Sequence, residues 1–190
     1  MREQIGEQFE QVLTAAALGA GWAAERLWRS LAPAVTGYLR VQGATEPDDL
    51  TSEVFVAVFR GLAEFSGDEQ QFRSWVFTIA HHRLVDARRR AARRPAQVPM
   101  EREPGAAPAT SPSASAEHEA LARAGTGQVR ALCERLAPDQ RDVLLLRMVG
   151  GLTVEETAAT LSKTPGAVKA LQRRGLGALR RIFEREGVPL

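Results

Sequence analysis

The chain has 190 residues, 44% of them hydrophobic and 6% aromatic, with a formal net charge of +2. That length allows one domain or two small ones, and the single cysteine, Cys133, excludes an intrachain disulfide. Ala, Leu, Arg and Glu dominate, and β-branched residues rarely alternate with polar ones, so strands are not expected and the fold class reads as all-α.

Residues 1–18 read as a short amphipathic helix, with Ile5, Phe9, Val12 and Leu13 at helical spacing. The weakly apolar stretch Ala15 to Ala24 holds Gly19 and Gly21 and is too short to span a bilayer. The expectation is therefore a cytoplasmic protein without membrane insertion. A second helix runs from about Trp22 to Val41, with Pro33 as a site where it splits or kinks. After a turn at Gly43–Pro47 comes a strongly patterned helix, Asp48 to Glu64. Leu50, Val54, Val58 and Leu62 recur every fourth residue, Phe55 and Phe59 widen the stripe, and acids occupy the first turn, where the helix dipole favours them.

A loop at Phe65–Glu69 leads into a basic helix from about Gln71 to Arg93. Phe72, Val76, Ile79, Ala80 and Leu84 form an expected buried stripe. Trp75, Thr78, His82, Val85 and Arg89 form a second stripe, too mixed for core and built like a contact surface. In residues 95–118, Pro95, Pro99, Pro104, Pro108 and Pro112 recur among small polar residues without hydrophobic period, the composition of a flexible linker. Helix resumes near Glu119. Leu132, Leu136, Val143, Leu144 and Leu146 supply a second core, and Pro138 suits a first helical turn.

Residues 153–181 carry the sharpest local pattern. Thr153-Val154-Glu155-Glu156 is a capping box. The helix it starts ends at Leu161, Ser162–Thr164 make a turn, and Thr164 caps the next helix with Pro165 at its first position. Val168, Leu171, Leu176 and Leu179 anchor that helix, leaving Lys163, Lys169, Arg173 and Arg174 outside. This is the layout of a helix-turn-helix.

Charge is gathered at two places. Residues 70–95 hold seven Arg against one Asp, and residues 162–185 hold seven Lys and Arg against one Glu, while the rest of the chain is net acidic. Two basic helices on a near-neutral chain point to two contacts with one polyanion, nucleic acid being the obvious candidate. Simpler readings compete. Asp48, Asp49 and Glu53 on one helix, with no nearby His, make a poor metal cage and could be solvated helix-end charges. His81 and His82 point about 100° apart on a helix, which disfavours a shared metal; they read as DNA-facing or plain surface residues. Cys133 reads as a packed residue, and Trp75 as core is a fair competitor. No phosphate-binding Gly loop, metal-ligand cluster or paired nucleophile is present, so no cofactor and no catalytic centre are expected.

Asp48-Asp49-Leu50-Thr51-Ser52-Glu53-Val54-Phe55, then Phe72-Arg73-Ser74-Trp75-Val76-Phe77-Thr78-Ile79-Ala80, then Asp86 and the Arg run, resemble the first conserved domain of bacterial sigma factors of the extracytoplasmic-function (ECF) type. Leu136–Leu144 and Gly151–Ala158 are similar to that group's second domain. The likeness covers roughly residues 7–184. It implies two small helical domains, 1–94 and 119–190, joined by the 95–118 linker. It implies docking of Asp48, Asp49, Leu50, Glu53, Val54 and Phe55 on the beta-prime clamp of core RNA polymerase, with the beta subunit a further contact. It implies single-strand capture of the −10 promoter element by Phe65, Ser66, Phe72, Arg73, Trp75, Thr78, His82 and Arg89. Duplex reading of the −35 element falls to Lys163, Thr164, Gly166, Ala167, Lys169, Ala170, Arg173 and Arg174. An anti-sigma protein is implied as a further partner.

The physics fits these roles: single-strand binders combine aromatic platforms with cations, and helix N-terminal amides meet phosphates. A linker of this length, fully extended, reaches roughly 80 Å, against about 70 Å for two turns of DNA. The chain departs from the family at His81-His82, where Arg-Asn is usual, at Arg83, where an apolar residue is usual, and at Gly175 and Gly177. Two rivals stand beside this reading: a free-standing helix-turn-helix regulator, and a nucleic-acid enzyme with Asp48, Asp49, Glu53 and Asp86 as metal acids.

Overall fold

The computed structural model describes residues 5–93 and 127–186, all of whose regular elements are helical. The expected linker 95–118 and the helix start near Glu119 lie outside the described residues. A 3-10 turn, Gly6–Gln8, precedes helix α1, Phe9–Ala17. The backbone amides of Ile5 and Gly6 donate to the Glu69 carboxylate at 2.8 and 2.9 Å, tying this end of the chain to the start of the basic helix. Helix α2, Gly21–Val41, is continuous through Pro33. Pro33 lies on the exposed side, and the buried Leu31, Ala32 and Val35 around it hold the helix to the core despite the lost amide.

Helix α3, Pro47–Gly61, has Pro at its first turn and ends in a 3-10 turn, Leu62–Glu64. Its Leu50, Val54 and Val58 stripe is buried as the spacing demands, and Thr51 bonds Thr36 across to α2 at 2.8 Å. Helix α4, Glu69–Arg93, packs against α2 and α3. Its buried surface is wider than expected. Phe72, Val76, Ala80 and Leu84 are buried, but so are Ser74, Phe77 and His81, whereas Ile79 is half-exposed. The reason is tertiary: the C-terminal helices cover the side of α4 that carries these residues.

Those helices are α5 (127–134), α6 (Pro138–Leu145), α7 (Val154–Thr160) and α8 (Pro165–Glu186). A π-helical turn, Leu146–Gly150, follows α6 and stops at Gly151, whose left-handed φ of 78° suits glycine. The capping box at Thr153 and Glu156 is formed, and Thr164 Oγ1 accepts from Ala167 N at 3.2 Å, so both ends of the turn form as their residue types dictate.

The expected second core is only partly separate. Val143, Ala158 and Val168 make a small cluster, but Cys133, Leu145, Leu146 and Leu152 are buried in the same cluster as the N-terminal helices. Within α8, Leu176 is exposed, contrary to its expected anchoring role, and Ile182 is buried. Gly175 has a packing reason: a Cβ there would lie 2.8 Å from Leu144 Cδ1, so glycine lets α8 approach α6.

Candidate polymerase and promoter interfaces

Three surfaces carry the residues singled out above. On α3, Asp48, Asp49 and Glu53 are exposed on the outer face. Asp48 takes a two-pronged bond from Arg40 at 3.0 Å, and Glu53 pairs with Arg90 at 3.6 Å. Leu50, Val54 and Phe55 are buried; they hold the helix to the core and present no surface to a partner.

Between α3 and α4 lies an aromatic cluster. Phe65 stacks on Trp75, with ring centroids 5.0 Å apart and planes 24° apart, and both lean on Phe72. Phe72 is buried against Phe9, so it supports the pair, while Phe65 and Trp75 keep part of their surface in water. Gly61 lets Trp75 lie close, since a Cβ there would sit 3.1 Å from the indole. Ser66, His82 and Arg89 are exposed, and Arg89 lies 3.9 Å from Asp86.

Arg73 and Thr78 do something the periodicity did not reveal. Arg73 Nη2 donates to Val149 O at 2.6 Å and its guanidinium sits 5.1 Å from the Phe77 ring centroid. Thr78 shares a hydrogen bond with Thr160 at 3.0 Å. Both reach the C-terminal helices. Gln70 and Ser74 join them, donating to Gly151 O at 2.7 Å and to Glu156 at 3.2 Å.

At the far end of this seam is a polar network with no obvious sequence signal. Gln42 Nε2 donates to Asp142 at 2.6 Å, Arg88 donates to Gln42 O at 2.5 Å, and His81 Nδ1 bonds Tyr38 at 3.0 Å. Burial pushes the Tyr38 hydroxyl up and holds His81 below the ordinary imidazole value; Asp142 works the other way on His81, while His82 and Arg88 add to the depression. A histidine neutral in the fold but protonated when unfolded contributes stability that is full above its unfolded pKa and falls away below it. Melting temperature is therefore expected to fall as pH drops below about 6.5, and His81→Gln is expected to flatten that dependence. Equal pH profiles for the two proteins would contradict this.

The third surface is α8. Thr164 and Gly166 at its start, and Lys169, Arg173 and Arg174 beyond, are exposed; Ala167 and Ala170 are half-exposed on the same side. Lys163 is drawn to Asp139 at 2.9 Å and Arg174 folds back onto Ala170 O at 3.3 Å, which leaves Lys169 and Arg173 one turn apart as the outward cations.

The sigma-70 region 2 family matches residues 27–94 and the sigma-70 region 4 family matches residues 126–179. The ECF RNA polymerase sigma factor SigD of Mycobacterium tuberculosis is 32% identical over 184 residues, covering 92% of this chain and 84% of that protein. The chain belongs to the ECF group of sigma-70 family sigma factors. ShbA of Streptomyces griseus, also an ECF sigma factor, is 36% identical over 139 residues, covering 72% of this chain and 71% of its own. The solved structure of CnrH in complex with the cytosolic domain of CnrY shares the fold, with a TM-score of 0.64 and 22% identity over 94% of this chain and 99% of that one. This sigma factor is thus a promoter-recognising subunit of RNA polymerase. Among the described residues no helix is long and apolar enough to cross a membrane.

Proposed function

We propose a division of labour among the three surfaces. The chain divides into domains 1–94 and 119–190 around the 95–118 linker. The exposed acids of α3 dock on the beta-prime clamp of core polymerase, with Leu50, Val54 and Phe55 fixing the helix from beneath. Phe65 and Trp75, flanked by Ser66, His82 and Arg89, take up unstacked −10 bases, with Arg73 and Thr78 joining them when the C-terminal domain moves away. The start of α8, from Lys163 to Arg174, enters the −35 duplex. The protein works in the cytoplasm, has no chemistry of its own, and is held in check by an anti-sigma partner; the last point rests on family likeness. The observation that supports the whole most directly is the pairing of Lys169 and Arg173 on a capped, exposed helix with a half-open aromatic stack on another.

Run-off transcription with purified core polymerase on a pool of genomic promoters tests the reading. Discrete new start sites sharing two spaced elements are expected. Specific duplex binding by the protein alone, without transcription from an active core, would move the assignment to a free-standing regulator.

Two variants separate the roles. Asp49→Lys is expected to weaken core binding at least tenfold, about 1.4 kcal/mol, with only a small fall in melting temperature, because the side chain is exposed but loses its favourable place in the first helical turn. Unchanged core affinity removes Asp49 from the docking surface. Trp75→Ala is expected to slow open-complex formation by the loss of a stacking partner, about 1–3 kcal/mol per base, while core binding stays near normal. Equal loss of both would make Trp75 structural.

A further inference from the structure

The turn between α7 and α8 is fixed through its own backbone. Ser162 takes a left-handed φ of 52°, and the amides around it close the end of α7: Ser162 N donates to Ala159 O at 3.2 Å and Lys163 N to Ala158 O at 2.8 Å. This is the pairing of a helix stop that usually carries glycine, and serine holds it here at some steric cost. The side chain that leaves the turn is fixed as well. Lys163 Nζ donates to Asp139 Oδ2 at 2.9 Å, across 24 positions of sequence. Asp139 stands in the first turn of α6, beside Pro138, where the helix dipole favours an anion. The Lys163 side chain keeps only 26% of its surface in water, against 57% for Asp139, so its stem is packed on the protein and its head has little freedom. The other cations at the start of α8 differ. Arg174 bonds the backbone of its own helix, and Lys169 and Arg173 point outward. Among the described residues, Lys163 is the one of these four that a carboxylate meets.

We propose that Asp139 sets how strongly the −35 reader grips the DNA backbone, by withholding Lys163 from the phosphates. The inference rests on the −35 role proposed above for α8. A lysine bound to a carboxylate is neutral as a unit and releases no counterion from DNA, whereas each cation that meets a phosphate steepens the fall of affinity with salt by about 0.9 on logarithmic axes. Backbone contacts carry no sequence information. Asp139 therefore restrains binding to every duplex alike and leaves the choice between promoters to Lys169 and Arg173. Because wrong sites far outnumber the right one, a weaker uniform grip reduces the time spent on wrong sequence. Asp139 is thus a positioning residue that acts on DNA through Lys163.

The test is the salt dependence of duplex binding. Holoenzyme assembled from core polymerase and the full-length chain is titrated with two duplexes, one bearing the preferred −35 element and one with that element scrambled, over a range of salt concentrations. Asp139 is exposed, so Asp139→Asn removes its charge and empties no core. This variant is expected to bind both duplexes about fivefold more tightly near 0.15 M salt, with a slope steeper by about one, as one added phosphate contact implies. The ratio between the two duplexes is expected to stay as in the wild type. Asp139→Glu, which keeps a carboxylate within reach of Lys163, is expected to keep the wild-type slope. Adding Lys163→Ala to Asp139→Asn is expected to remove both gains, which a general disturbance of α6 would not do. An unmoved slope in Asp139→Asn would overturn the proposal, and so would a gain that persists without the Lys163 ammonium. A loss confined to the preferred duplex would overturn it too, by showing that Asp139 aims Lys163 at a base. Wild-type holoenzyme that binds the two duplexes equally would instead bring down the −35 reading of α8, and this inference with it.

Discussion

Replacing both Lys169 and Arg173 with alanine is expected to abolish most −35 recognition while leaving core binding and melting temperature intact. Both side chains are exposed and lie one turn apart on the outer face of α8, so their removal opens no cavity and strands no buried partner. The neighbouring cations are less available. Lys163 is engaged by Asp139, and Arg174 bonds the backbone of its own helix. A bidentate contact to a base edge discriminates by about 1–3 kcal/mol, so the double variant should lose at least tenfold, and as much as several hundredfold, in binding to its preferred promoter. The measurement is promoter binding by holoenzyme across a panel of −35 variants at two salt concentrations. Loss confined to the preferred sequence identifies base readers. A uniform loss with a shallower salt slope, by about one per cation removed, identifies phosphate contacts. Unchanged binding in the double variant would remove α8 from the −35 role.

The second large effect lies in the core. Phe77→Ala is expected to destabilise the protein by about 3–5 kcal/mol, a large part of the 5–15 kcal/mol typical of a whole domain. Phe77 is fully buried and meets the Tyr38 ring edge-on at 5.5 Å on one side. On the other it lies under Arg73 and against Gly150. Its loss therefore empties space within the N-terminal helices and also removes the apolar centre of the seam. Urea denaturation should show a lowered midpoint, and hydrogen exchange should show early loss of protection in both α4 and the π-turn. A change below about 1 kcal/mol would mean the site collapses without cost. Trp75→Ala should be milder in stability, because that ring is half-exposed. The contrast matters, since the aromatic that the sequence presents as a contact residue and the aromatic that bears the packing lie only two positions apart.

Family membership explains where this chain conforms, and its departures are equally informative. His81, expected to be a DNA-facing or plain surface residue, is instead buried and bonded to Tyr38. His82 is exposed and retains that candidacy. Arg83, where the family usually has an apolar residue, is half-exposed beside Leu84, as a snorkelling side chain would be. Gly175, which weakens a helix when judged by propensity alone, is placed where α8 presses on Leu144.

What could be read from the chain by itself is what local chemistry decides. Helix starts at Pro138, Thr153 and Thr164 follow from caps and proline at first positions, whose partners lie within three or four residues. The buried stripe of α3 follows from a four-residue repeat that needs only one covering layer. The outward cations of α8 follow from the same periodicity. Only the tertiary structure decided which faces of α4 are covered, because a helix sandwiched between two units buries two stripes, and periodicity alone does not say whether a mixed stripe meets water, DNA or protein. Thus Ser74, Phe77 and His81 are interior, Arg73 and Thr78 hold the C-terminal helices, and Leu145, Leu146 and Leu152 share the N-terminal core. The carbonyls that receive Gln70 and Arg73 are presented by a π-turn, Leu146–Gly150, and the Gly151 that ends it, which no residue pattern announced. Contacts between residues seventy or more positions apart depend on how two prefolded surfaces fit, and that fit is a property of shape and hydrogen-bond geometry in three dimensions.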